Sequence, residues 1–473
     1  MNELTVTLRW VADATGGQVV AGNPSAIVGN VTTDTRTLGA GDFFVALHGP
    51  RHDGHDHVAA ALAAGAGGAV VERGWFEHQA RVVPEGDAGK VGLVVVSNTL
   101  LALQDMARVL RQAAESRVIA ITGSAGKTTT KEAIAGMLAT RLRVVKNKGN
   151  LNNHIGLPLS LMELRRRPDV AVMELGMNHQ GEISTLVAIA DPDVRVWTNV
   201  GDAHLGFFAS PDAIADAKAE ILEGADATDV LVCNADDPLV MARVTRFPGR
   251  MITFGYSPDS MVRAVDVEDR GISGMRARLV TSAGERELKT GLLGRGNLSN
   301  VLAATSVALE FDVPLDSIVE QTERLRPADR RGTVLVSRGV TIIDDSYNSS
   351  PAALMRALDV VRSERGTYRK IAVLGEMLEL GEHADALHRE CGAAAAAAGL
   401  ALLVAVGGTA AEALAQGAVH AGMPPSAVHY LDRSATAAEF VAHEVRPGDL
   451  VLVKGSRGIR TDVVVDRLMA GAA

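Results

Sequence analysis

The sequence predicts an α/β protein with three domains and a parallel sheet in the central one. The chain has 473 residues, which at roughly 150 residues per domain would fill about three domains. Apolar runs of strand length alternate with helical stretches, the order that a parallel sheet requires. One of these runs ends in a glycine-rich loop that a helix follows. Changes in this pattern place the expected domains at residues 1–110, 111–326 and 327–473.

The composition excludes several classes of protein. Hydrophobic residues make up 47% of the chain and charged residues 22%, which is ordinary for a globular protein. The net charge of -9 and an aromatic content of 3% argue against nucleic-acid binding, so we expect small-molecule partners. Cys233 and Cys391 are expected to be reduced core residues. The N-terminus lacks the pattern of a signal peptide and the apolar run at 393–406 is too short to cross a bilayer, which favours a cytoplasmic protein without membrane insertion.

Each expected domain has its own apolar runs. In the first, residues 91–96 predict a buried strand, and a helix should follow at 99–114. The strands expected in the other two domains are short and rich in β-branched residues: 118–121, 170–174, 194–199, 230–234, 333–336, 341–344, 371–374, 402–406 and 450–454. Helical stretches between them indicate two further α/β layouts.

The loop at residues 123–129, with the sequence GSAGKTT, is typical of a triphosphate-binding P-loop. Small residues allow several backbone N–H groups to approach the phosphates. Lys127 would place its charge on the β- and γ-phosphates, and Thr128 would offer a hydroxyl to Mg²⁺. Ile121 stands where the full motif has glycine, so the loop is a shortened variant, and a chance Gly-Lys turn is the alternative. The loop by itself does not choose among GTPases, kinases, transporters and ligases.

Polar residues follow other strands of the central region. Glu174 ends one predicted strand, and His204 comes shortly after another. Residues just past strand ends face the crevice in which α/β proteins bind ligands. We therefore expect Glu174 and His204 to handle Mg²⁺ and phosphate, although a solvated loop position is the alternative for either residue alone.

Four segments of the central region resemble the middle domain of the Mur ligase family: GSAGKTT, NLNNHIGLP, MELGMNHQGEI and TNVGDAHLGFF. Residues 31–36 and 41–46 resemble the family's N-terminal UDP-sugar domain, and residues 344–351 and 454–457 resemble its C-terminal domain. The resemblance covers essentially the whole chain. It implies a central P-loop ATPase domain between an N-terminal UDP-binding α/β domain and a C-terminal Rossmann-like α/β domain.

Members of this family use ATP and Mg²⁺ to form amide bonds in peptidoglycan synthesis. The segments DDSYNSSP and KGSR are similar to those of members that join D-alanyl-D-alanine to UDP-N-acetylmuramoyl-tripeptide through an acyl phosphate. The resemblance implies these two substrates and an enzyme that we expect to be a monomer. Two alternatives stay open: a Mur-type ligase that adds a single amino acid, and a nucleotide-binding switch that forms no amide.

The resemblance also implies roles for individual residues. The catalytic candidates are Lys127, Glu174, His204 and Lys218. The residues expected to bind the nucleotide are Thr122, Gly123, Ser124, Ala125, Gly126, Lys127, Thr128, Thr129, Asn297, Arg331 and Asp345. The residues expected to bind the sugar–peptide or the dipeptide are Asp34, Thr35, Arg36, Asn150, Asn153, His154, Asn348, Ser349 and Arg457. The Mg²⁺ ligands would be Thr128, Glu174, His204 and a carbamylated Lys218.

Some of these positions have alternatives or depart from the family pattern. Lys218 could instead be an exposed helix lysine paired with an acid, and Arg331 could be a surface charge. Gly296 stands where the family commonly has His. Thr461 and Asp462 stand where Met-Glu is common, so the resemblance assigns no role to these three positions.

Overall fold

The computed structural model describes residues 3–79, 91–202, 205–366 and 368–470. Its helices are α1 (Leu8–Thr15), α2 (Val58–Ala63), α3 (Arg73–Glu77), α4 (Thr99–Ala113), α5 (Lys127–Leu138), α6 (Gly156–Leu161), α7 (Glu182–Ala190), α8 (Pro211–Ala219), α9 (Pro238–Val244), α10 (Gly294–Glu310), α11 (Leu315–Arg324), α12 (Pro351–Ser363), α13 (Ala384–Ala397), α14 (Thr409–His420), α15 (Ser434–Glu444) and α16 (Asp462–Ala470). Its strands are β1 (Gln18–Ala21), β2 (Val31–Thr32), β3 (Phe43–Val45), β4 (Gly68–Glu72), β5 (Gly92–Val96), β6 (Arg117–Thr122), β7 (Val144–Lys146), β8 (Val170–Glu174), β9 (Val194–Trp197), β10 (Val230–Asn234), β11 (Arg250–Gly255), β12 (Val262–Asp269), β13 (Met275–Thr281), β14 (Gly284–Thr290), β15 (Thr333–Ser337), β16 (Val340–Asp345), β17 (Arg369–Gly375), β18 (Leu402–Val406), β19 (Val428–Leu431) and β20 (Asp449–Lys454). Strands and helices alternate along most of the chain, which confirms the predicted α/β class.

The chain divides into two compact units. The first comprises Met1–Ala120, Leu142–Arg195 and Glu220–Asp229. The second comprises Ile121–Arg141, Val196–Ala219 and Val230–Ala473.

The first unit contains a five-stranded sheet with the order β1-β5-β4-β3-β2. Strands β2 to β5 pair in parallel, and β1 is antiparallel to β5. Phe44, Val58 and Leu93 belong to the apolar core between this sheet and α2. Asn98 caps α4 by accepting the N–H of Leu101 on its side chain at 2.9 Å. The strand and the helix predicted at 91–96 and 99–114 are therefore present as β5 and α4.

In the second unit, one set of strands follows the order β14-β13-β12-β11-β10-β9. β10, β11 and β12 pair in parallel, whereas β12, β13 and β14 form an antiparallel meander. No strand is predicted in the meander, because charged residues occupy many of its positions. Arg276 pairs with Glu287, and Arg278 with Glu285 at 2.7 Å, while alternate residues such as Leu279 are buried. Cross-strand ion pairs on one face and apolar packing on the other stabilise these strands.

A six-stranded sheet in the second unit has the order β15-β16-β20-β17-β18-β19. Its neighbours pair in parallel except for β15 and β16. Helices α12, α13 and α14 pack on one face through residues such as Leu354 and Leu414. Helices α15 and α16 pack on the other through residues such as Ala438 and Val465. Helices on both faces of a parallel sheet confirm the expected Rossmann-like domain.

Most predicted strands lie where the sequence places them. Residues 170–174, 230–234 and 402–406 form β8, β10 and β18 with the expected bounds. β9 ends two residues before its predicted end at 199, because Thr198 and Asn199 leave the strand to hold a neighbouring loop. In the part of the chain that the structure describes, no helix combines the length and the apolar character needed to cross a membrane.

Both cysteines are buried, Cys233 in β10 and Cys391 in α13. Burial raises the pKa of each thiol to about 12. Each therefore stays a neutral thiol in the folded protein at physiological pH.

We expect both thiols to resist alkylation in the folded protein, because the thiolate is the reactive form. Iodoacetamide at pH 8 should label neither cysteine before unfolding and both after unfolding, as counted by intact mass spectrometry. Rapid labelling of Cys233 or Cys391 in the native protein would contradict the burial described.

Candidate active site

The phosphate loop follows β6 and leads directly into α5. Gly123 has a φ of +148° and Gly126 a φ of +84°, backbone conformations that favour glycine. A Cβ at Gly123 would lie 1.9 Å from Thr198 Oγ1, and a Cβ at Gly126 would lie 2.2 Å from Asn300 Oδ1. Both glycines are required by backbone conformation and by space.

The segment after β9 holds the phosphate loop by hydrogen bonds. The Ala125 N–H donates to Asn199 Oδ1, and Asn199 Nδ2 donates to Ala125 O, both at 2.9 Å. Thr198 Oγ1 donates to the same carbonyl at 2.9 Å. The Gly201 N–H donates to Ser124 Oγ at 2.9 Å. These bonds fix the conformation of the loop by pairing its polar groups with neighbouring residues.

Helix α10 packs against the other end of the loop. Asn300, which is 5% exposed, lies against Gly126. Asn300 Nδ2 donates to Asn297 Oδ1 at 3.2 Å, and Asn297 Nδ2 donates to Leu293 O at 2.9 Å. The predicted nucleotide residue Asn297 is thus linked to the loop through Asn300. Sequence analysis missed Asn300, although two asparagines three residues apart on a helix share a face.

Positive charge lies at the start of α5. Lys127 is its first residue, and Lys127 Nζ donates to Gly123 O at 2.6 Å. Thr128 and Thr129 follow in the first turn of the helix. Thr122 Oγ1 is buried and has no hydrogen-bond partner among the described residues. A lysine at a helix N-terminus, beside a glycine-lined loop, favours an anionic ligand.

Lys218, in α8, has only 1% of its surface exposed. The alternative that it is an exposed helix lysine is therefore wrong. Burial lowers the pKa of its ammonium group well below the usual range, and the charge of Lys127 lowers it further. This environment favours the neutral amine, the form of lysine that acts as a nucleophile.

Glu174, the last residue of β8, is 4% exposed. Asn152 Nδ2 donates to Glu174 Oε1 at 2.9 Å. Asn147 bonds to both backbone groups of Glu174, which fixes the end of the strand. Glu174 is therefore a buried, oriented carboxylate and not a solvated loop residue. The other expected ligand, His204, lies outside the described residues.

Three predicted substrate residues precede α6 and are exposed: Asn150, Asn153 and His154. Asn153 Oδ1 accepts the N–H of Gly156 at 2.9 Å. Gln104 Nε2 donates to His154 O at 3.1 Å and ties this segment to α4. These bonds fix the backbone and leave the Asn150 and His154 side chains on the surface.

The predicted UDP residues lie after β2. The Arg36 guanidinium pairs with both carboxylate oxygens of Asp34, at 2.9 and 2.7 Å. This side-chain hydrogen bonding lowers the pKa of Asp34 to about 2. Asp34, Thr35 and Arg36 thus form a compact, partly exposed turn with a fixed pair of opposite charges.

Predicted residues of the C-terminal sheet also lie together. Lys454 Nζ, at the end of β20, donates to Asp345 Oδ2 at 2.6 Å and to Asn348 O at 3.0 Å. The Ser349 N–H donates to Asn348 Oδ1 at 2.9 Å. Ser349 Oγ is buried without a partner in the described part of the chain. Lys454 therefore orients the loop between β16 and α12, a role not assigned from the sequence.

Tyr347 brings the two predicted arginines of this region together. The Arg331 guanidinium lies 4.0 Å from the centroid of the Tyr347 ring, and that of Arg457 lies 5.2 Å from it. Arg331 is only partly exposed, so it is not a free surface charge. Two cations on one aromatic ring form a positively charged patch.

Elements of the C-terminal sheet lie beside the phosphate loop. A Cβ at Gly201 would be 3.7 Å from both Ala352 Cβ and Ser124 Cβ. The Gly206 N–H donates to Glu379 O at 2.7 Å. The start of α12 is therefore close to the phosphate loop.

A phosphate loop between a parallel strand and a helix, with a Rossmann-like domain beside it, defines a P-loop nucleotide-binding protein of the α/β class. Family models match most of the chain: "Mur ligase family, catalytic domain" at residues 28–111, "Mur ligase middle domain" at 121–308 and "Mur ligase, glutamate ligase domain" at 330–457. The chain belongs to the Mur ligase family and has its three-domain α/β fold.

Relatives match the chain nearly from end to end. The UDP-N-acetylmuramoyl-tripeptide–D-alanyl-D-alanine ligase of Mycobacterium bovis is 35% identical over 99% of this chain and 98% of its own length. That of Bacillus subtilis is 32% identical over 98% of each. The crystal structure of MurF from Acinetobacter baumannii has a TM-score of 0.86 at 30% identity and covers 99% of this chain and 100% of its own. MurF from Thermotoga maritima in complex with ADP has a TM-score of 0.80 at 28% identity and covers 94% and 97%.

We expect Gly126→Ala to weaken ADP binding at least tenfold. Alanine is strained at a φ of +84°, and its Cβ would meet Asn300 Oδ1 at 2.2 Å. Isothermal titration calorimetry measures the affinity. Gly136→Ala, in the helix that follows the loop, is the control, because its Cβ would have only Leu325 Cδ2 nearby, at 3.9 Å. The control should bind ADP like the wild type, and unchanged affinity of Gly126→Ala would show that this loop does not hold the nucleotide.

Proposed function

We propose that this chain joins D-alanyl-D-alanine to UDP-N-acetylmuramoyl-tripeptide at the expense of ATP, a step of peptidoglycan synthesis. The observation that carries the proposal is the end-to-end match to relatives named for this reaction. Structures named for ligation of diaminopimelate and of alanine are only 19% and 16% identical to the chain, so their likeness concerns the fold alone. The alternative of single-amino-acid addition therefore has weaker support.

The reaction requires a carboxylate to approach a triphosphate. A carboxylate oxygen of the tripeptide attacks the γ-phosphorus of ATP, the bond to the bridging oxygen breaks, and ADP leaves behind an acyl phosphate. The neutral amine of the dipeptide attacks the acyl carbon, loses a proton, and inorganic phosphate leaves as the amide forms. Because the reacting groups are anions, catalysis depends on positioning and charge neutralisation. Lys127 supplies positive charge at the phosphate loop.

Mg²⁺ fits the donors that the chain offers. In nucleotide sites Mg²⁺ takes one or two protein oxygens and completes its shell with phosphate oxygens and water. Thr128 would offer a hydroxyl and Glu174 a carboxylate, with His204 as the third expected residue. No three His, Cys, Asp or Glu side chains cluster as a metal site within the described ranges. The ion, when bound, would neutralise charge on the phosphates.

Lys218 would carry a carbamate. Its neutral amine attacks the carbon of CO₂, one proton is released, and the neutral side chain becomes an anionic carbamate that could serve as a Mg²⁺ ligand. Burial of the side chain and the lowered pKa of its ammonium group support this modification, because only the neutral amine reacts.

The remaining residues would bind the other substrate groups. The candidates for the uridine diphosphate are Asp34, Thr35 and Arg36. The candidates for the sugar–peptide are Asn150, Asn153 and His154. The candidates for the dipeptide and the peptide end are Asn348, Ser349 and Arg457. Asn297, Arg331 and Asp345 would surround the adenosine and the phosphates. We place the enzyme in the cytoplasm as a monomer, with domains at 1–110, 111–326 and 327–473.

We expect Lys218→Ala to reduce turnover strongly, and added bicarbonate should not restore it, because no amine remains to be carbamylated. Wild-type activity should fall as the pH drops through the lowered pKa of Lys218, since protonation removes the reactive amine. Turnover is measured as phosphate release with both substrates present. The exposed Lys289→Ala is the control and should keep full activity. Unchanged turnover in Lys218→Ala would remove this lysine from the mechanism.

The proposed reaction is tested by following phosphate and the UDP-pentapeptide product together. Phosphate should appear only when tripeptide substrate and D-alanyl-D-alanine are both supplied, and in equal amount to the new amide. Phosphate release with neither substrate would favour a nucleotide-binding switch. Product formation with a single amino acid in place of the dipeptide would favour the other class of Mur-type ligase. Parallel assays with diaminopimelate and lysine tripeptides identify the third residue of the acceptor.

A further inference from the structure

At the start of α10, the Arg356 side chain fills the space into which a side chain at Gly296 would project. A Cβ at Gly296 would lie 2.9 Å from Arg356 Cδ and 3.2 Å from Arg356 Nη1. Arg356 belongs to α12 and Gly296 to the first turn of α10. The arginine side chain therefore covers the bare backbone at a position where any other residue would project a side chain.

Most N–H donors of the Arg356 guanidinium have no hydrogen-bond partner among the described residues. The side chain is partly buried, and Nε donates to Ala352 O of its own helix at 3.0 Å. Among the residues that the structure describes, no carboxylate lies within ion-pair distance of it. Burial lowers the pKa of Arg356, and the more distant charge of Asp345 opposes that effect. A guanidinium has five N–H donors, so most of them are available to an anion.

Two chains of contacts connect Arg356 to the phosphate loop. On one side, Gly296 precedes Asn297, whose side chain bonds to Asn300, and Asn300 packs on Gly126. On the other side, Ala352 accepts the Arg356 Nε–H and lies next to Gly201, which bonds to Ser124 of the loop. Arg356 is thus within a few contacts of both ends of the loop. Phosphates held by that loop are therefore candidate acceptors for its remaining donors.

We propose that Arg356 is a nucleotide-binding residue whose guanidinium donates to an α- or β-phosphate oxygen, which ADP and ATP share, and that Gly296 is required to make room for it. The proposal rests on the proposed binding of ATP at this loop. Arginine suits the role because its planar donors match phosphate oxygens and its charge persists at any physiological pH. Because Arg356 belongs to α12, the same contact would also hold the start of α12 near the nucleotide.

The test measures ADP affinity by calorimetry, a readout independent of amide formation. Arg356→Met keeps most of the side-chain volume and removes the charge. It should weaken ADP binding about tenfold, a change in affinity that corresponds to the free energy of one charge-assisted hydrogen bond. Arg356→Lys should lose less than Arg356→Met does. The dependence of affinity on salt concentration should also be shallower in Arg356→Met, since one cation no longer contributes.

Gly296→Ala provides an independent perturbation of the same contact. Its Cβ would displace the guanidinium, so the variant should weaken ADP binding as Arg356→Met does, and the double variant should be no weaker than either single one. Gly291→Ala is the control, because nothing lies within 4 Å of its Cβ. Thermal melting identifies any variant that does not fold.

Three results would each overturn the proposal. Arg356→Met could bind ADP as tightly as the wild type, Arg356→Met and Arg356→Lys could lose equal affinity for ADP, or the losses of affinity from the Gly296 and Arg356 substitutions could add in the double variant. Failure of the wild-type protein to bind ADP would instead overturn the proposed function, so the two failures are distinguishable.

Discussion

The close approach of backbone and side chains at the phosphate loop is the constraint on which the site depends. At one end the loop backbone touches Thr198, and at the other it touches Asn300. Neither contact is possible with a side chain at Gly123 or Gly126. The loop is therefore shaped by groups that approach it from two sides, and each side belongs to a different element: the segment after β9 and the start of α10.

Asparagine side chains hold backbone groups at the phosphate loop and, within the other compact unit, at the end of β8. Asn199 donates and accepts at once with Ala125, which satisfies a backbone N–H and a C=O in a loop that has no helical or strand partners for them. Asn147 does the same for Glu174 at the end of β8. An asparagine side chain carries both a donor and an acceptor on a short stem, so it replaces a missing strand neighbour.

The sequence predicts many of the buried parallel strands, because their apolar runs are continuous, but it does not predict β3 and β4, which are also buried. It does not predict β12 to β14, where many of the positions carry charge and the strands are held by cross-strand pairs such as Arg278 with Glu285. Local pattern also indicated the P-loop and Lys127. It could not indicate Asn300 or the Gly296–Arg356 contact, because those depend on residues far apart in the chain meeting in space. Burial of Lys218 is similarly a tertiary property, since α8 alone is not strongly amphipathic.

The outermost strand of the meander also limits how the molecule can associate. Among the described residues β14 is the end strand of its sheet, and unpaired strand edges recruit strands from other molecules. Here charges line the strand, and Arg286 is joined to Asp316 of α11 at 2.6 Å. Adding a foreign strand would require these ions to lose water and the α11 contact to break. The charges on this strand therefore disfavour sheet extension from one copy to another.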